Sequence, residues 1–421
     1  MPNVMNVGRG AKILQLSSIA VKTQPTKTVY KAGEIFNPAG MVLTATYSDG
    51  TKQDISSGYT VPQTALTYGT SQITVSYTEY GITRSTMLAI SISAPVSVGA
   101  TQQTALLTSG ATVRGIMKNS GYYQMVGTDA SYNMYKMWFS ANSPAADCHQ
   151  AKANATGTYP ASGIAYSGTF IGVPITTDYG GTIYKARYIT AFELLSDFMS
   201  SATVSFKIFS TAGVSAQGVV KCDSNLVFLG RDSSNHAHIS IMASANAVSN
   251  RITFSGLGGI VGGCYSGKLM FVTSDKKLCN ATVGSATAHS VALPSAITSY
   301  VCCCEVVGAQ KMVVVGKTAN GYGMCVYDAA SNSVQETVTG IAATSDTIVG
   351  VETFADGTII VVGHDSAGNG FIYAAQVQSL DHGQRYAASF ANPEMICGIE
   401  NGIGVLGTGS GKYTITELSA V

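Results

Sequence analysis

The chain has 421 residues, of which only 11% are charged, and its formal net charge is +1. This balance, without any basic block, excludes the electrostatic footprint of a protein that binds nucleic acid or an anionic membrane surface. Glycine is frequent, with 46 residues, and helix-forming residues are scarce, so the composition favours strands and turns. No segment approaches the roughly 18 apolar residues of a membrane span, and the N-terminal residues lack the pattern of a signal peptide.

Residues 1–12 are polar and contain glycine, and we interpret them as an arm that could dock on a neighbouring subunit. Residues 13–94 consist of short segments in which apolar and polar side chains alternate between turns. Examples are M-V-L-T-A-T-Y from Met41, S-Q-I-T-V-S-Y from Ser71 and I-T-R-S-T-M-L-A from Ile82. Alternation of this kind over several short segments predicts a β-sandwich.

The order of motifs in this segment is specific enough to suggest a family. Y-K-A-G-E begins at Tyr30, A-T-Y-S-D-G at Ala45 and I-T-V-S-Y at Ile73. This succession resembles the bacterial immunoglobulin-like domain of Gram-positive surface proteins and phage virions. The resemblance covers residues 13–94 and implies a spacer or adhesion module without catalytic residues. The Cys…Trp…Cys core of antibody domains is missing, because the segment contains neither residue.

Residues 95–102 contain a proline and a glycine that interrupt strand formation, and we interpret them as a linker. From residue 103 to residue 421, a short apolar run recurs seven times. The residues that close these runs, which we call the marks, lie 47, 56, 43, 43, 47 and 44 residues apart: Gly127, Pro174, Gly230, Thr273, Gly316, Gly363 and Gly407. A period of roughly 40–50 residues is typical of propeller blades. The sequence therefore predicts an all-β protein with a seven-bladed β-propeller, whose last blade receives a fourth strand from residues 103–107.

The copy that ends at Gly363 is the most regular. Asp356-Gly357 predicts a two-residue hairpin turn in which both residues adopt positive φ, residues 358–362 form a buried strand, and Gly363 releases the chain into the next turn. Asp129, Asp232 and Asp365 each follow a mark by two residues, and we expect their carboxylates to hold a turn. The longest interval between marks contains an insertion around residues 192–201.

The residues that could carry chemistry are scattered. The nine cysteines lie mostly in apolar segments without a C-x-x-C spacing, so we expect free, buried thiols. His236 and His238 share one face of a strand near Asp232, but two histidines do not complete a metal site. The Trp-Asp signature of WD repeats is missing, since the single tryptophan, Trp138, precedes a phenylalanine. We predict no catalytic residue, no metal ligand and no cofactor.

Aromatic side chains on propeller loops are the remaining candidates for a binding role, because exposed tyrosines can stack on sugars or anchor a protein partner. Tyr122, Tyr123, Tyr132 and Tyr179 are the candidates in the first two repeats, although most tyrosines are expected to pack between strands.

The chain as a whole resembles a bacteriophage virion structural protein. This resemblance implies a non-enzymatic tail, baseplate or capsid decoration protein, exposed on the particle, whose propeller contacts a host glycan or protein. The arm and the immunoglobulin-like domain would bind other virion proteins. Two alternatives stay open: a bacterial cell-surface adhesin without its export signal, and a propeller hydrolase or lyase that acts on glycans through two facing carboxylates.

Overall fold

A computed structural model describes residues 14–31, 34–66, 70–93, 96–104, 112–119, 121–128, 134–146, 148–152, 158–160, 165–167, 170–177, 183–187, 205–207, 214–243, 248–400 and 402–421. The chain divides into two compact units between Pro95 and Val96. The described residues form strands and turns with no helix, so none of them could cross a membrane as a helix. The predicted arm, residues 1–12, and the predicted insertion, residues 192–201, lie outside the described residues.

The first unit is built from short strands: β1 (Leu16–Thr23), β2 (Val29–Lys31), β3 (Val42–Tyr47), β4 (Lys52–Ile55), β5 (Gln72–Glu79), β6 (Ile82–Ala89) and β7 (Ser91–Ser93). β1, β3 and β4 form an antiparallel sheet, β5 and β6 form a hairpin, and β2 pairs with β7 in parallel. In β5, Ile73 and Val75 are buried while Gln72 and Thr74 are exposed. The predicted alternation is confirmed here, because successive side chains of a strand point to opposite faces.

The second unit begins with β8 (Val96–Val98) and β9 (Gln102–Gln103) and continues as seven sheets within the described residues. Sheet 1 comprises β10 (Thr112–Asn119), β11 (Tyr122–Thr128), β12 (Met134–Ser140) and β13 (Cys148–Lys152). Sheet 2 comprises β14 (Thr158–Pro160), β15 (Ala165–Ser167), β16 (Phe170–Thr177), β17 (Ile183–Arg187) and β18 (Ser205–Lys207). Sheet 3 comprises β19 (Ser215–Cys222), β20 (Asn225–Arg231), β21 (His236–Met242) and β22 (Asn250–Gly258).

Sheet 4 comprises β23 (Ile260–Tyr265), β24 (Leu269–Thr273), β25 (Lys277–Ala281) and β26 (Ala288–Ala292). Sheet 5 comprises β27 (Ser299–Glu305), β28 (Lys311–Thr318), β29 (Gly321–Asp328) and β30 (Ser333–Ala342). Sheet 6 comprises β31 (Thr347–Thr353), β32 (Thr358–His364), β33 (Asn369–Gln376) and β34 (Ser379–Ala391). Sheet 7 comprises β35 (Pro393–Ile399), β36 (Gly402–Gly409) and β37 (Lys412–Ala420), to which β8 and β9 are added.

Consecutive sheets contact each other mainly through their first strands. β19 contacts β23, β23 contacts β27, β27 contacts β31, and β31 contacts β35. Sheet 1 meets sheet 2 at β11 and β14, sheet 2 meets sheet 3 at β15 and β19, and β35 contacts β10. The sheets of the second unit therefore form a closed cycle of the kind that defines a propeller. We call β10, β19, β23, β27, β31 and β35 the axial strands.

Most of the marked segments are apolar throughout because both faces of their sheets are covered, as sheet 5 shows. In β28, Val313 and Val315 pack in one apolar cluster with Val361 of sheet 6, whereas Met312 and Val314 pack in another with residues of sheet 4. A strand that is buried on both faces needs apolar side chains at every position.

Each axial strand carries a β-bulge near its start. The register shifts lie between Val113 and Gly115, Ala216 and Gly218, Ile260 and Gly262, Tyr300 and Cys302, Ile348 and Gly350, and Pro393 and Met395. In all six sheets, the residue just before the bulge pairs with the mark on the second strand. The marks of these sheets are therefore equivalent positions, as the repeat predicted.

The reason for glycine at the mark differs from the prediction. A Cβ atom at Gly363 would lie 2.5 Å from the carbonyl oxygen of Thr347, and one at Gly316 would lie 2.4 Å from that of Ser299. Both carbonyls belong to the axial strand just before its bulge. Gly363 lies inside β32, which continues to His364, so the prediction that it releases the chain into a turn is wrong. At Gly316 and Gly363, glycine is required because the backbone of the axial strand approaches too closely for a side chain, whereas the equivalent mark of sheet 4 is Thr273.

The hairpin at Asp356 and Gly357 also differs in detail. Only Gly357 has a positive φ, of 83°. The Phe354 amide donates to the Thr358 carbonyl at 2.8 Å, and the Gly357 amide donates to the Phe354 carbonyl at 3.0 Å. The Asp356 carboxylate accepts a hydrogen bond from the Thr358 amide at 2.9 Å. The loop thus comprises residues 355–357 with a glycine bulge, instead of the predicted two-residue turn.

The cycle is closed by residues 96–104, which we call the clasp. Val96 and Val98 pair with Ala420 and Leu418 of β37, and further along Gln103 pairs with Thr414. Val96 is buried in one apolar cluster with Leu418. The prediction of a linker at residues 95–102 is therefore wrong, because a proline before the strand does not prevent Val96 from pairing. The prediction that an N-terminal segment adds a strand to the last sheet is confirmed, but this segment pairs through residues 96–98 and 102–103 and not through residues 103–107. Residues 105–107 lie outside the described residues.

Candidate functional site

The four tyrosines proposed for binding do not form one described surface. Tyr123 lies within β11, is fully buried, and stacks on Phe139 with ring centroids 5.4 Å apart. Tyr122 begins the same strand and is half-buried. Tyr132 and Tyr179 lie outside the described residues. The prediction that Tyr123 is an exposed loop residue is wrong, because its ring fills the joint between sheets 1 and 7.

That joint contains a polar cluster around Glu417 of β37. The Tyr123 hydroxyl donates to Glu417 Oε1 at 2.6 Å, and Lys118 Nζ of β10 donates to the same oxygen at 2.7 Å. A Cβ at Gly404 would lie 2.7 Å from the Tyr123 ring, so the glycine makes room for it. Partial burial opposes ionisation of Glu417, but Lys118 and Tyr123 outweigh it and lower the pKa of the carboxyl. The three side chains link the first and last sheets of the cycle.

Asp232 organises the turn between β20 and β21. Its Oδ1 accepts the His236 amide at 2.8 Å, and its Oδ2 lies 3.1 Å from His236 Nδ1 and 3.0 Å from His238 Nε2. The other ring nitrogen of His238 lies 3.0 Å from Thr253 Oγ1. Burial opposes ionisation of Asp232, but these hydrogen bonds hold its pKa well below the usual range. Among the described residues, no group of three or more His, Cys, Asp or Glu side chains could hold a metal ion.

Asp365 holds the corresponding turn of sheet 6 with an asparagine in place of the histidine. Its Oδ1 accepts the amides of Ala367 and Asn369, both at 2.9 Å, and its Oδ2 accepts Asn369 Nδ2 at 2.9 Å. The hydrogen bonds from Asn369 lower the pKa of Asp365. The predicted turn role is confirmed for Asp232 and Asp365, while Asp129 lies outside the described residues. The shared geometry indicates that His236, like Asn369, stabilises the turn through its aspartate.

The axial strands also carry side chains that remain partly exposed. Half-buried apolar residues occur along them, one or more from each of five strands: Val219, Val261, Val301, Val349 and Ile396. Arg114 and Glu394 are exposed near the start of their strands, and Lys118 and Lys221 lie near the end of theirs.

Two acidic side chains occupy neighbouring axial strands near their C-terminal ends. Burial, followed by repulsion from Glu305, raises the pKa of Glu352 to about 8. Burial also raises the pKa of Glu305. The Glu352 carboxylate lies against Gly398 of β35, where a Cβ atom would come within 3.8 Å of its Oε2, and the Gly398 amide favours the ionised form. A carboxyl of this kind keeps its proton near neutral pH.

Comparisons with known proteins agree with the two units. A family model described as bacterial Ig-like domain (group 3) matches residues 23–90. The chain is similar in fold to the WD40 domain of Toxoplasma gondii coronin, with 11% identity and a TM-score of 0.53, over 77% of this chain and 86% of that chain. It is likewise similar to a chain of a mitotic checkpoint complex, with 10% identity and a TM-score of 0.52, over 76% and 91% of the two chains. No curated protein matches the sequence.

At such low identity, the likeness to these structures shows the fold alone. Together the findings confirm an all-β protein with an N-terminal immunoglobulin-like domain and a propeller-like fold similar to WD40 domains. The number of blades stays a prediction, which the sheet topology supports. No local sequence pattern singles out Glu305 and Glu352 as a pair. The available signal was that Glu352 is the only charged residue in the segment Thr347–Thr353.

Proposed function

We propose that this chain is a non-enzymatic structural protein of a bacteriophage particle, in the tail, the baseplate or the capsid decoration, and that its propeller is displayed for contact with the host surface. The observation that carries the proposal is the direct succession of its parts. The chain leaves the last strand of the immunoglobulin-like domain at Ser93 and enters the clasp of the propeller at Val96. Only residues 94 and 95 lie between the last strand of the spacer module and the first strand of the closed ring.

Exposed apolar side chains support attachment through residues 1–94. Among the described residues, the large apolar side chains that are exposed occur mostly in the first unit: Leu14, Val29, Ile35, Tyr80 and Met87, compared with Val307 and Val421 in the second. Exposed apolar side chains favour contact with other proteins. The partners would be other virion proteins, bound by this unit and the arm before it.

The closed cycle supports the display role of the propeller. Closing a cycle of sheets through the clasp removes the free strand edge at which the last sheet would otherwise add strands from other chains. A ring of this kind presents loops that can vary while the sheets stay fixed. A host glycan or protein is the partner that these loops would contact.

A fragment experiment tests the attachment. Residues 95–421 retain the whole clasp, whereas a fragment that begins at residue 100 would lose Val96 and expose its apolar cluster. We expect the 95–421 fragment to fold, as checked by circular dichroism and a cooperative thermal transition, but to be absent from purified particles that incorporate the full chain. If the folded fragment joins particles at full occupancy, the propeller is the attached part and the proposed polarity is wrong.

Binding to host cells tests the display. Fluorescently labelled full chain and 95–421 fragment should bind susceptible cells equally well, because both carry the propeller. Full chain that binds while the fragment does not would assign adhesion to the immunoglobulin-like domain. A different result would be that the protein releases soluble sugar from host polysaccharide and loses this activity on a carboxylate-to-amide substitution. That result would show that the protein is a glycan hydrolase or lyase. If the protein is found on a bacterial envelope and is absent from phage particles, the alternative of a bacterial cell-surface adhesin is favoured.

A further inference from the structure

The joint between sheets 4 and 5 brings two cysteine thiols together. Cys264 lies in β23 and is buried, and Cys303 lies in the neighbouring axial strand β27 and is half-buried. β23 and β27 contact each other, and Cys303 packs against the apolar cluster that contains Cys264. Both belong to one apolar cluster with Met270 and Val314. Two free thiols therefore meet across a joint between sheets that lie next to each other in the cycle.

The orientation of Cys303 is fixed by its neighbours. The Tyr300 hydroxyl donates to Cys303 Sγ at 3.5 Å. That hydroxyl occupies the space left by Gly262, where a Cβ atom would lie 1.9 Å from it. Gly262 therefore lets Tyr300 reach across to β23 and hold the Cys303 side chain on the same side as Cys264.

The strand geometry separates Cys303 from the cysteines on either side of it. Cys302, Cys303 and Cys304 pair with Val315, Val314 and Val313 of β28. Because side chains alternate along a strand, Cys302 and Cys304 pack on the opposite face, against the cluster that extends into sheet 6. Of the three consecutive cysteines, only Cys303 faces Cys264. The other two provide matched controls on the same strand.

We propose that Cys264 and Cys303 form a redox-active pair, which becomes a disulfide between β23 and β27 when the protein meets a low-molecular-weight disulfide. The half-buried Cys303 loses its proton and attacks the oxidant, forming a mixed disulfide and releasing one thiol. Cys264 then loses its proton and attacks the Cys303 sulfur, which releases the second thiol and forms the protein disulfide. Two protein thiols are oxidised and one small disulfide is reduced to two thiols.

The environment of the pair sets the conditions for this reaction. Burial raises the pKa of Cys264 well above its ordinary value, so the thiol is inert until it is next to an activated sulfur. Reduced thiols are expected while the protein is in a reducing cytoplasm, and the disulfide is expected in an oxidising medium. The bond would fasten two adjacent sheets of the cycle, and it does not depend on the proposed function.

The experiment compares full-length proteins in oxidised glutathione. The folded chain is incubated with the oxidant, denatured, and alkylated, and its cysteines are counted by mass spectrometry. We expect two fewer alkylated cysteines than in the reduced protein, and peptide mapping should find Cys264 linked to Cys303. The variants C302S and C304S should give the same result, whereas C303S and C264S should retain all their remaining thiols.

A stability measurement provides the second readout. Oxidation should raise the thermal midpoint of wild type and C302S by about 5 °C and leave that of C303S unchanged. Each variant is first shown to fold by its reduced thermal transition. Wild-type protein that keeps all nine thiols after prolonged oxidation, or a disulfide that involves Cys302 or Cys304, would overturn the proposal.

Discussion

The joint between sheets 7 and 1 and the joint between sheets 5 and 6 close similar gaps with different chemistry. Between sheets 5 and 6, an apolar cluster includes Val313 on one side and Val361 on the other. The hydrogen bonds across this joint run between side chain and backbone, such as that from the Thr353 hydroxyl to the Glu305 carbonyl at 2.9 Å. Between sheets 7 and 1, apolar packing around Leu406 and Met125 is joined by the buried Tyr123 hydroxyl and the ion pair of Lys118 with Glu417.

The difference follows from chain connectivity. Sheets 5 and 6 are joined by a few residues of continuous chain, which fixes their register before they pack. Sheets 7 and 1 are joined only through the clasp, because the last strand of the chain and the first axial strand are far apart in sequence. Apolar contacts are non-directional, whereas hydrogen bonds to a charged carboxylate hold one geometry. We infer that the closing joint adds an ion pair and a buried tyrosine hydroxyl at the place where continuous chain is missing.

The largest effect is expected from removal of the clasp. A fragment of residues 104–421 loses the pairing of β8 and β9 with β37 and exposes the apolar cluster around Leu418. We expect it to aggregate or to lose its cooperative thermal transition, whereas residues 95–421 unfold cooperatively. Size-exclusion chromatography and calorimetry measure both outcomes. Equal transitions in the two fragments would show that the closing joint holds without the clasp.

The sequence predicted the strands and the repeat because these depend on local side-chain chemistry. Segments such as residues 358–362 are apolar throughout, and a sheet buried on both faces requires this. The turn carboxylates of Asp232 and Asp365 were predictable for the same reason. Asp232 forms its hydrogen bonds within six residues along the chain, and Asp365 within four. The alternation of apolar and polar residues in residues 13–94 predicted the strands of the first unit.

The remaining features depend on contacts between distant residues. Glycine at position 363 is explained by a carbonyl on the preceding axial strand, and the bulge that moves this carbonyl has no signal in the run itself. The clasp was mistaken for a linker because a proline and a glycine flank a three-residue strand whose partner lies at the other end of the chain. Glu305 and Glu352 become neighbours only when sheets 5 and 6 pack.

The second prediction concerns the acidic residue at the apolar joint. Because the pKa of Glu352 is raised to about 8 in the folded protein, from an ordinary value near 4.5, the folded state holds a proton that the unfolded state releases. This contribution to stability is fully present below pH 4.5 and is lost as pH rises towards 8, at up to about 1.4 kcal/mol per pH unit. Glu352→Gln should therefore flatten the pH dependence of unfolding across this range.

Urea unfolding at several pH values measures this difference. The matched control is Glu400→Gln, an exposed residue in the turn after β35, which should keep the wild-type slope. Glu305→Gln should make the fall of stability with pH less steep, because it removes the repulsion that helps to raise the pKa of Glu352. Identical slopes in wild type and Glu352→Gln would mean that Glu352 ionises in the folded protein as it does in the unfolded chain.

The smallest effect is expected at the polar joint. Tyr123→Phe keeps the buried ring but removes the donor to Glu417, while Lys118 still pairs with the carboxylate. We expect a loss of about 1–3 kcal/mol in the free energy of unfolding, because a hydrogen bond to a charged group is removed from a partly buried site. Chemical denaturation of the single variants and their combinations measures the loss.

Double-mutant cycles then separate the two joints. Tyr123→Phe and Glu417→Gln should be non-additive by more than about 0.5 kcal/mol, since both change the same hydrogen bond. Tyr123→Phe combined with Ile359→Ala, which acts in the apolar joint, should be additive because the two residues belong to separate clusters. Additivity in the first cycle would mean that the hydroxyl and the carboxylate contribute independently. The polar cluster of the closing joint would then not act as a unit, and the contrast between the two joints would lose its physical basis.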